Sequence, residues 1–438
     1  MAPEHRRLES IGRVSTANKE MTTNKEIPTS RRIVFPAGLA RGFQALSVRN
    51  YRLYWLGQLV SLVGTWMQTT AQAWLVLQLT NSPFAIGLVT TLQFLPIMLL
   101  SLFGGVLADR VAKYRLLITT QTAGLLQAAV FGLLVGTGAI QLWHIYILAT
   151  ILGIINAIDT PTRQAFAVEL VDRHHRANAV ALNSMQFNAA RIVGPALAGV
   201  LIASIGIAPA LYANALSFIA VIAGLLMMDT NAFFAATKVS EGSVKQRLLE
   251  GLAYSWRTPE VLVVLAVVAV IGTFGYNFSV TIPLIAGFVL HTTAAQYGLL
   301  SAFLGIGSLA AAIATAYSLR ITIKRLLIAS TAFSLILGAV AVTPFFSLSS
   351  ALLVALGFAG VTFATTANTL LQLKVPNELR GRVISLYFLL FAGSTPIGGF
   401  LTGVAASAFG VPVALLLCAF LCLVGVGGIA LYRMKIEH

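Results

Sequence analysis

Charge is scarce in this chain, and acid is the scarcer sign. Only 10% of the 438 residues are charged, and fourteen are Asp or Glu against twenty-nine Lys or Arg. None of those acids lies in the central third of a long apolar segment, so paired-carboxylate catalysis in the interior is excluded. The two cysteines, Cys418 and Cys422, sit one helical turn apart in an apolar run, which excludes a disulfide framework and reads as small packing residues. All six histidines fall in loops or at ends, so no metal site is expected. No Gly-rich phosphate loop with its lysine occurs, so ATP is not used by this chain. No cofactor and no enzyme activity are expected.

What the chain has is apolar length. It is 58% hydrophobic with a mean hydropathy of +0.86, a membrane composition. A spanning helix needs roughly 20 mostly apolar residues, because its backbone must satisfy its own hydrogen bonds in lipid. Twelve such segments are predicted, near 50–78, 84–108, 114–137, 142–165, 177–205, 209–228, 261–287, 294–319, 324–343, 348–372, 381–408 and 411–432. The fold class is therefore an all-α membrane protein. Short joins such as Asn81-Ser82-Pro83 and Gly410-Val411-Pro412 separate them, and the polar stretch 229–260 is the long exception.

The basic residues give the orientation. The tail up to residue 49 carries nine Lys or Arg. Arg110, Lys113 and Arg115 follow the second segment, and Arg163, Arg173 and Arg176 surround the next basic loop. Lys238, Lys245, Arg247 and Arg257 lie in the central stretch, Arg320, Lys324 and Arg325 after the eighth segment, and Lys374, Arg380 and Arg382 after the tenth. Arg433 and Lys435 end the chain. The loops between hold no Lys or Arg, so both termini are expected in the cytoplasm, with the chain in the cytoplasmic membrane. The net charge of +15 is then an orientation signal and not a nucleic-acid surface.

A shift of 204 residues lays the fifth segment on the eleventh. Gly194, Gly199 and Gly206 fall on Gly398, Gly403 and Gly410. Two six-helix halves related by an axis along the membrane normal are predicted, with cargo bound between them near the midplane. The expected organisation is a basic tail over 1–48, a bundle over 49–228, a cytoplasmic linker over 229–260, a second bundle over 261–432 and a short tail over 433–438. Within the linker, 244–256 has amphipathic spacing and is expected along the inner leaflet.

These features resemble the major facilitator superfamily. Gly105-Val106-Leu107-Ala108-Asp109-Arg110, followed by Lys113 and Arg115, is similar to that superfamily's loop signature, with Ala112 in place of its second Gly. The loop Tyr317-Ser318-Leu319-Arg320 to Lys324-Arg325 is its counterpart in the second half, without the acid. Gly194-Pro195-Ala196-Leu197-Ala198-Gly199 is similar to the Gly-Pro signature associated with antiporters, a helix-packing motif. The runs from Tyr51 to Leu88 and from Asn156 to Ser184 resemble the enterobactin-exporter-like, transmembrane secretion effector branch. That resemblance implies a twelve-helix transporter of drug- or siderophore-like molecules.

Three groups of residues stand out. Asp109 can latch the cytoplasmic side through charge-assisted bonds to Arg163 or to the start of the eleventh segment around Gly381 and Arg382; anchoring in the headgroups is the plainer alternative. Asp159 and Arg163, four residues apart with Pro161 between, form a gate pair or a structural i,i+4 pair. Arg191 lies roughly 21 Å along its helix from Ala177, near the midplane, where a cation marks a wet pathway or a backbone-bonded structural Arg. Uncharged cavity candidates are Gln68, Gln72, Gln93, Asn156, Gln186, Asn188, Tyr276, Asn277 and Asn368, which can equally bridge helices. The expected function is proton-coupled export of a small amphipathic molecule by a monomer. An importer or uniporter on the same fold, and a non-transporting sensor or scaffold, are the alternatives.

Overall fold

The computed structural model describes residues 42–234, 244–316 and 321–437. The basic tail up to residue 41, Lys238 and the loop Tyr317–Arg320 lie outside these residues, as do the side chains of Lys245 and Arg247. Six long helices come first: α1 (Arg49–Thr80), α2 (Pro83–Arg110), α3 (Lys113–Gly136), α4 (Leu142–Glu169), α5 (Arg176–Ile205) and α6 (Ile207–Leu226). The amphipathic α7 (Val244–Arg257) follows. The remainder is α8 (Pro259–Phe274), α9 (Phe278–Leu284), α10 (Ala294–Ala316), α11 (Ile323–Val342), α12 (Phe346–Lys374), α13 (Asn377–Phe391), α14 (Thr395–Phe409) and α15 (Val411–Glu437). Helices α1–α6 and α8–α15 make two six-span halves, the seventh and eleventh spans each being built from two pieces.

Both interruptions depart from the continuous segments the hydropathy predicts. The seventh span breaks at Gly275–Asn277, where the Asn277 side-chain amide donates to the Thr273 carbonyl at 2.6 Å. That is the carbonyl an unbroken helix would leave to the Asn277 backbone N–H. The eleventh breaks between Phe391 and Thr395, just before Pro396, whose ring nitrogen cannot donate to the Ala392 carbonyl. Apolar content alone cannot register either event.

Among the described residues eleven spans are long and apolar enough to cross a membrane by length and composition, and α1 is not one of them. The reason is its position. α1 is the inner helix of the first half, packed on α5 and α6, and many of its polar side chains are buried against other helices. Gln68 donates to Gln127 Oε1 on α3 at 3.1 Å and accepts from Asn214 Nδ2 on α6 at 2.7 Å. A helix that meets little lipid has no need of lipid-like side chains.

The repeat appears in the packing. A Cβ added at Gly153 on α4 would lie 2.2 Å from the Gln93 carbonyl oxygen on α2. Its counterpart 204 residues on, Gly357 on α12, would place one 2.1 Å from the Leu304 carbonyl oxygen on α10. Only Gly permits these approaches. The turns after α5 and α14 repeat as well, at Gly206 (φ 95) and Gly410 (φ 84).

Among the described residues the close backbone approaches between the halves gather toward one end. We call the end of the bundle with the uncharged joins the neutral end and the other the basic end. At the neutral end α2 packs on α14 through Gly87 and Gly403, whose added Cβ would lie 2.9 Å from the Gly87 Cα. α5 packs on α10 through Pro195, Gly199 and Gly298 in the same manner; a Cβ at Gly298 would sit 2.5 Å from the Pro195 carbonyl oxygen. Thr91 Oγ1 donates to the Pro396 carbonyl at 3.0 Å, and Trp74 stacks on Tyr297 with ring centroids 5.7 Å apart. On the α2 side the packing changes partners towards the basic end. α13 packs mainly on α7, α8 and α12, all outside the first half, while its continuation α14 packs on α2.

Candidate transport pathway

The candidate path between the halves follows the faces that make the neutral-end seams. On α5 that face carries Gly199 and Pro195, then Ile192, which meets Gly305 of α10, then Arg191. Arg191 is half-buried, and its guanidinium carbon lies 5.6 Å from the centroid of the Phe278 ring, which belongs to the other half. Phe278 starts α9 directly after the break in the seventh span. Tyr276, in the break, lies 4.6 Å from Phe278 and 4.7 Å from Phe391 on α13, centroid to centroid. Further along α5, Asn188 is half-buried and Ser184 exposed. Asn188 Nδ2 donates to the Ser184 carbonyl at 2.8 Å.

Several amides named from the sequence are engaged elsewhere. Gln68 is committed to Gln127 and Asn214 inside the first half. Gln186 Nε2 donates to the Trp55 carbonyl on α1 at 2.6 Å, buried between two helices of that half. Gln72 donates to Gln93 Oε1 at 3.0 Å, and both face a narrow pocket shared with Thr69, Thr90 and Ser279, just beneath the α2–α14 seam. Asn277 is buried and serves the helix break. Asn156 on α4 is half-buried. Asn368 on α12 is half-buried and accepts from Gln372 one turn on. The sequence gives no phase for these amides, because α1 and α5 present a polar residue on nearly every side.

At the basic end Asp159 is the only acid among the described residues that is buried. Its Oδ1 accepts from Thr120 Oγ1 and from Gln121 Nε2, both at 2.8 Å, and its Oδ2 stands 3.7 Å from Arg163 Nε. Arg163 Nη1 donates to Gln58 Oε1 at 3.3 Å, and its carbonyl accepts from Tyr54. Asp109 and Arg110 are exposed, as is Arg115, and Gly105 is half-buried with open space where a Cβ would be. Lys113 pairs with Glu169 at 2.8 Å. Arg382 is in direct ionic contact with Glu250 of α7, against which Gly251 lets the α13 backbone approach. The charges proposed as one latch thus stand in three separate groups in this conformation.

A match to the family described as transmembrane secretion effector extends over residues 40–438. The chain belongs to that family of the major facilitator superfamily. It is a membrane transporter and not an enzyme. It is 27% identical over 357 residues to a staphyloferrin A transporter of Staphylococcus aureus, covering 80% of this chain and 87% of that protein. It is 26% identical over 383 residues to the multidrug efflux pump Tap of Mycolicibacterium fortuitum, covering 85% and 93%. In fold it is similar to a bacterial homologue of the human lysosomal transporter Spinster in an inward-facing, unoccupied conformation, with a TM-score of 0.69, 14% identity and coverage of 87% and 96%. A POT family transporter in complex with a thioalcohol-conjugated peptide gives 0.70 at 11% identity, covering 90% and 97%.

Membership in this family is consistent with the packing role of the Gly-Pro signature, which splits between two tasks. Gly194 lets α5 approach Val63 and Trp66 of α1 within one half, whereas Pro195 and Gly199 face α10 across the halves. Sequence reasoning missed Gly87 and Gly298 of the seams, Phe278 opposite Arg191, and the pair Thr120–Gln121 that holds Asp159. The 204-residue shift marked Gly403 as a partner of Gly199. Nothing in the sequence tied Phe278 to Arg191, since that contact exists only once two halves are docked.

Proposed function

We propose that this protein exports a small amphipathic molecule across the cytoplasmic membrane by alternating access, driven by protons. The observation that carries the reading is the asymmetry of the inter-half contacts. Two glycine seams close the neutral end, while the basic ends of α2 and α13 pack within separate groups. With the basic end in the cytoplasm, as the Lys/Arg distribution argues, this is an inward-open state awaiting cargo from inside the cell. Closing the basic end would bring α13 towards Asp109 and Arg110, and parting the seams would release cargo outside. Asp159, buried beside Arg163, is the acid we assign to proton coupling. The substrate cavity is assigned to Arg191, Asn188, Tyr276 and Asn368 around the midplane. α7 lies along the inner leaflet, Leu249, Leu252 and Trp256 being exposed on one side of it. A relative named as a multidrug efflux pump supports the outward direction.

The test is a compound-panel accumulation assay in an efflux-deficient host, with and without an uncoupler. Expression is expected to lower the accumulation of at least one amphipathic compound, and the uncoupler to remove the difference. Uncoupler-insensitive movement would refute proton coupling, and net uptake into right-side-out vesicles would refute export.

A further inference from the structure

Arg191 is a cation without a counter-charge. No hydrogen bond or ion pair to it occurs among the described residues, and its nearest electron-rich group is the face of Phe278 at 5.6 Å. The one buried acid among the described residues, Asp159, is held by Thr120 and Gln121 beside Arg163 at the basic end. A ring face replaces only part of the hydration that a guanidinium gives up at this depth. A carboxylate does far better, taking two parallel N–H···O bonds from the planar fork.

The ring opposite is part of a set. Phe278 leads to Tyr276, Tyr276 to Phe391, and Phe391 stacks on Tyr387 with 8° between the ring planes and centroids 5.6 Å apart. The second half therefore presents an aromatic wall, and the first half a fixed positive charge with an amide and a hydroxyl, Asn188 and Ser184, further along the same face. Fixed cation and aromatic wall face each other across the plane where the halves part.

We propose that the cargo is an organic anion bearing an aromatic ring, its carboxylate seated on Arg191 and its ring against Phe278 and Tyr276. This rests on the transport reading above and narrows it. A cationic amphiphile meets repulsion from Arg191 and no described acid to offset it. The bound anion supplies the charge partner that Arg191 lacks, and the cation–π contact between the halves gives way to one shared through the cargo.

The experiment is equilibrium binding by calorimetry to the purified full chain in lipid nanodiscs, with 2-naphthoate, its neutral amide 2-naphthamide, and decanoate as probes. Naphthoate is expected to bind about 10- to 100-fold tighter than naphthamide, the scale of a charge-assisted hydrogen bond. Arg191→Gln should erase that preference and Arg191→Lys should keep part of it. Phe278→Leu should weaken naphthoate while leaving decanoate unchanged. Equal binding of naphthoate and naphthamide, binding of neither, or a preference that survives Arg191→Gln in a protein of wild-type melting temperature would overturn the proposal. If Arg191→Gln does not fold, the wild-type preference and the Phe278→Leu result decide. Binding needs no transport, so a chain that binds naphthoate in this manner but moves no compound refutes the transport reading alone. One that moves compounds without this preference refutes the anion site alone.

Discussion

Asp159 Oδ2 stands 3.7 Å from Arg163 Nε, near enough to attract it and too far to accept its hydrogen bond. The other carboxylate oxygen is engaged by Thr120 and Gln121, so the acid is fixed in place with Oδ2 facing the Arg163 side. Around it the Gln58 Nε2 donor and the Gln121 Oε1 acceptor are buried without partners. This is the acid to which proton coupling is assigned above, and its fixed position makes that assignment testable.

Asp159→Asn is therefore expected to separate energy coupling from passage. Uphill transport driven by an imposed pH gradient should fall by about 5- to 150-fold, the range of an ordinary coupling energy, while downhill equilibration of the same cargo persists. Proteoliposome flux with and without the gradient measures both. Equal loss of the two would make Asp159 a structural residue.

Gly298→Leu is expected to spring the neutral-end seam. A Cβ there already meets the Pro195 carbonyl oxygen at 2.5 Å, and that atom is backbone, which cannot turn aside. Overpacking of this kind costs about 1–3 kcal/mol, enough to shift the balance between closed and open ends by about 5- to 150-fold. A cysteine placed at Thr91 should then react faster with an impermeant thiol reagent added from the neutral side. The two native thiols are buried and should stay silent. An unchanged labelling rate would mean that the seam does not set this equilibrium.

Gln68→Ala is expected to lower stability and leave cargo preference alone. Gln68 joins α1 to α3 and α6, and Gln127 carries the chain of bonds on to the Leu148 carbonyl of α4. Amide bridges inside membrane proteins contribute about 0.5–2 kcal/mol each. A lower melting temperature in detergent with an unchanged compound profile is the expected outcome; a changed profile would return Gln68 to the pathway.

Much of the architecture was legible in the chain because lipid imposes one rule on every span. Length, apolar runs and the placement of Lys and Arg therefore marked nearly all of the helices, and the 204-residue shift anticipated the matching turns at Gly206 and Gly410. What the chain could not display was which side of each helix faces what. Gln68, Gln186 and Arg191 look alike as polar residues in apolar company, and only docking separates two buried bridges from one cation facing the opposite half. α1 shows the same limit from the other side: its polar content belongs to an inner helix. The breaks at Asn277 and before Pro396 escaped notice because hydropathy averages over them.

Asp109 and Arg382 do not touch in this conformation, and that makes a sharp prediction possible. Asp109 is exposed at the end of α2, and Arg382 is held by Glu250 of α7 at the start of α13. If closing the basic end brings α13 onto α2, Arg382 leaves Glu250 for Asp109, and the two residues share one free energy in the closed state. Asp109→Asn and Arg382→Gln are each expected to slow transport strongly, to a rate that stays measurable, while leaving membrane insertion intact. The double variant should then be no worse than the more damaged single, an interaction of about 0.5–3 kcal/mol in a cycle built on transport rates. Residues this far apart in function ordinarily add, so strict additivity would show that they never meet. Glu250→Gln supplies the control, since freeing Arg382 from α7 should favour the closed basic end and slow labelling of a cysteine at Ser385.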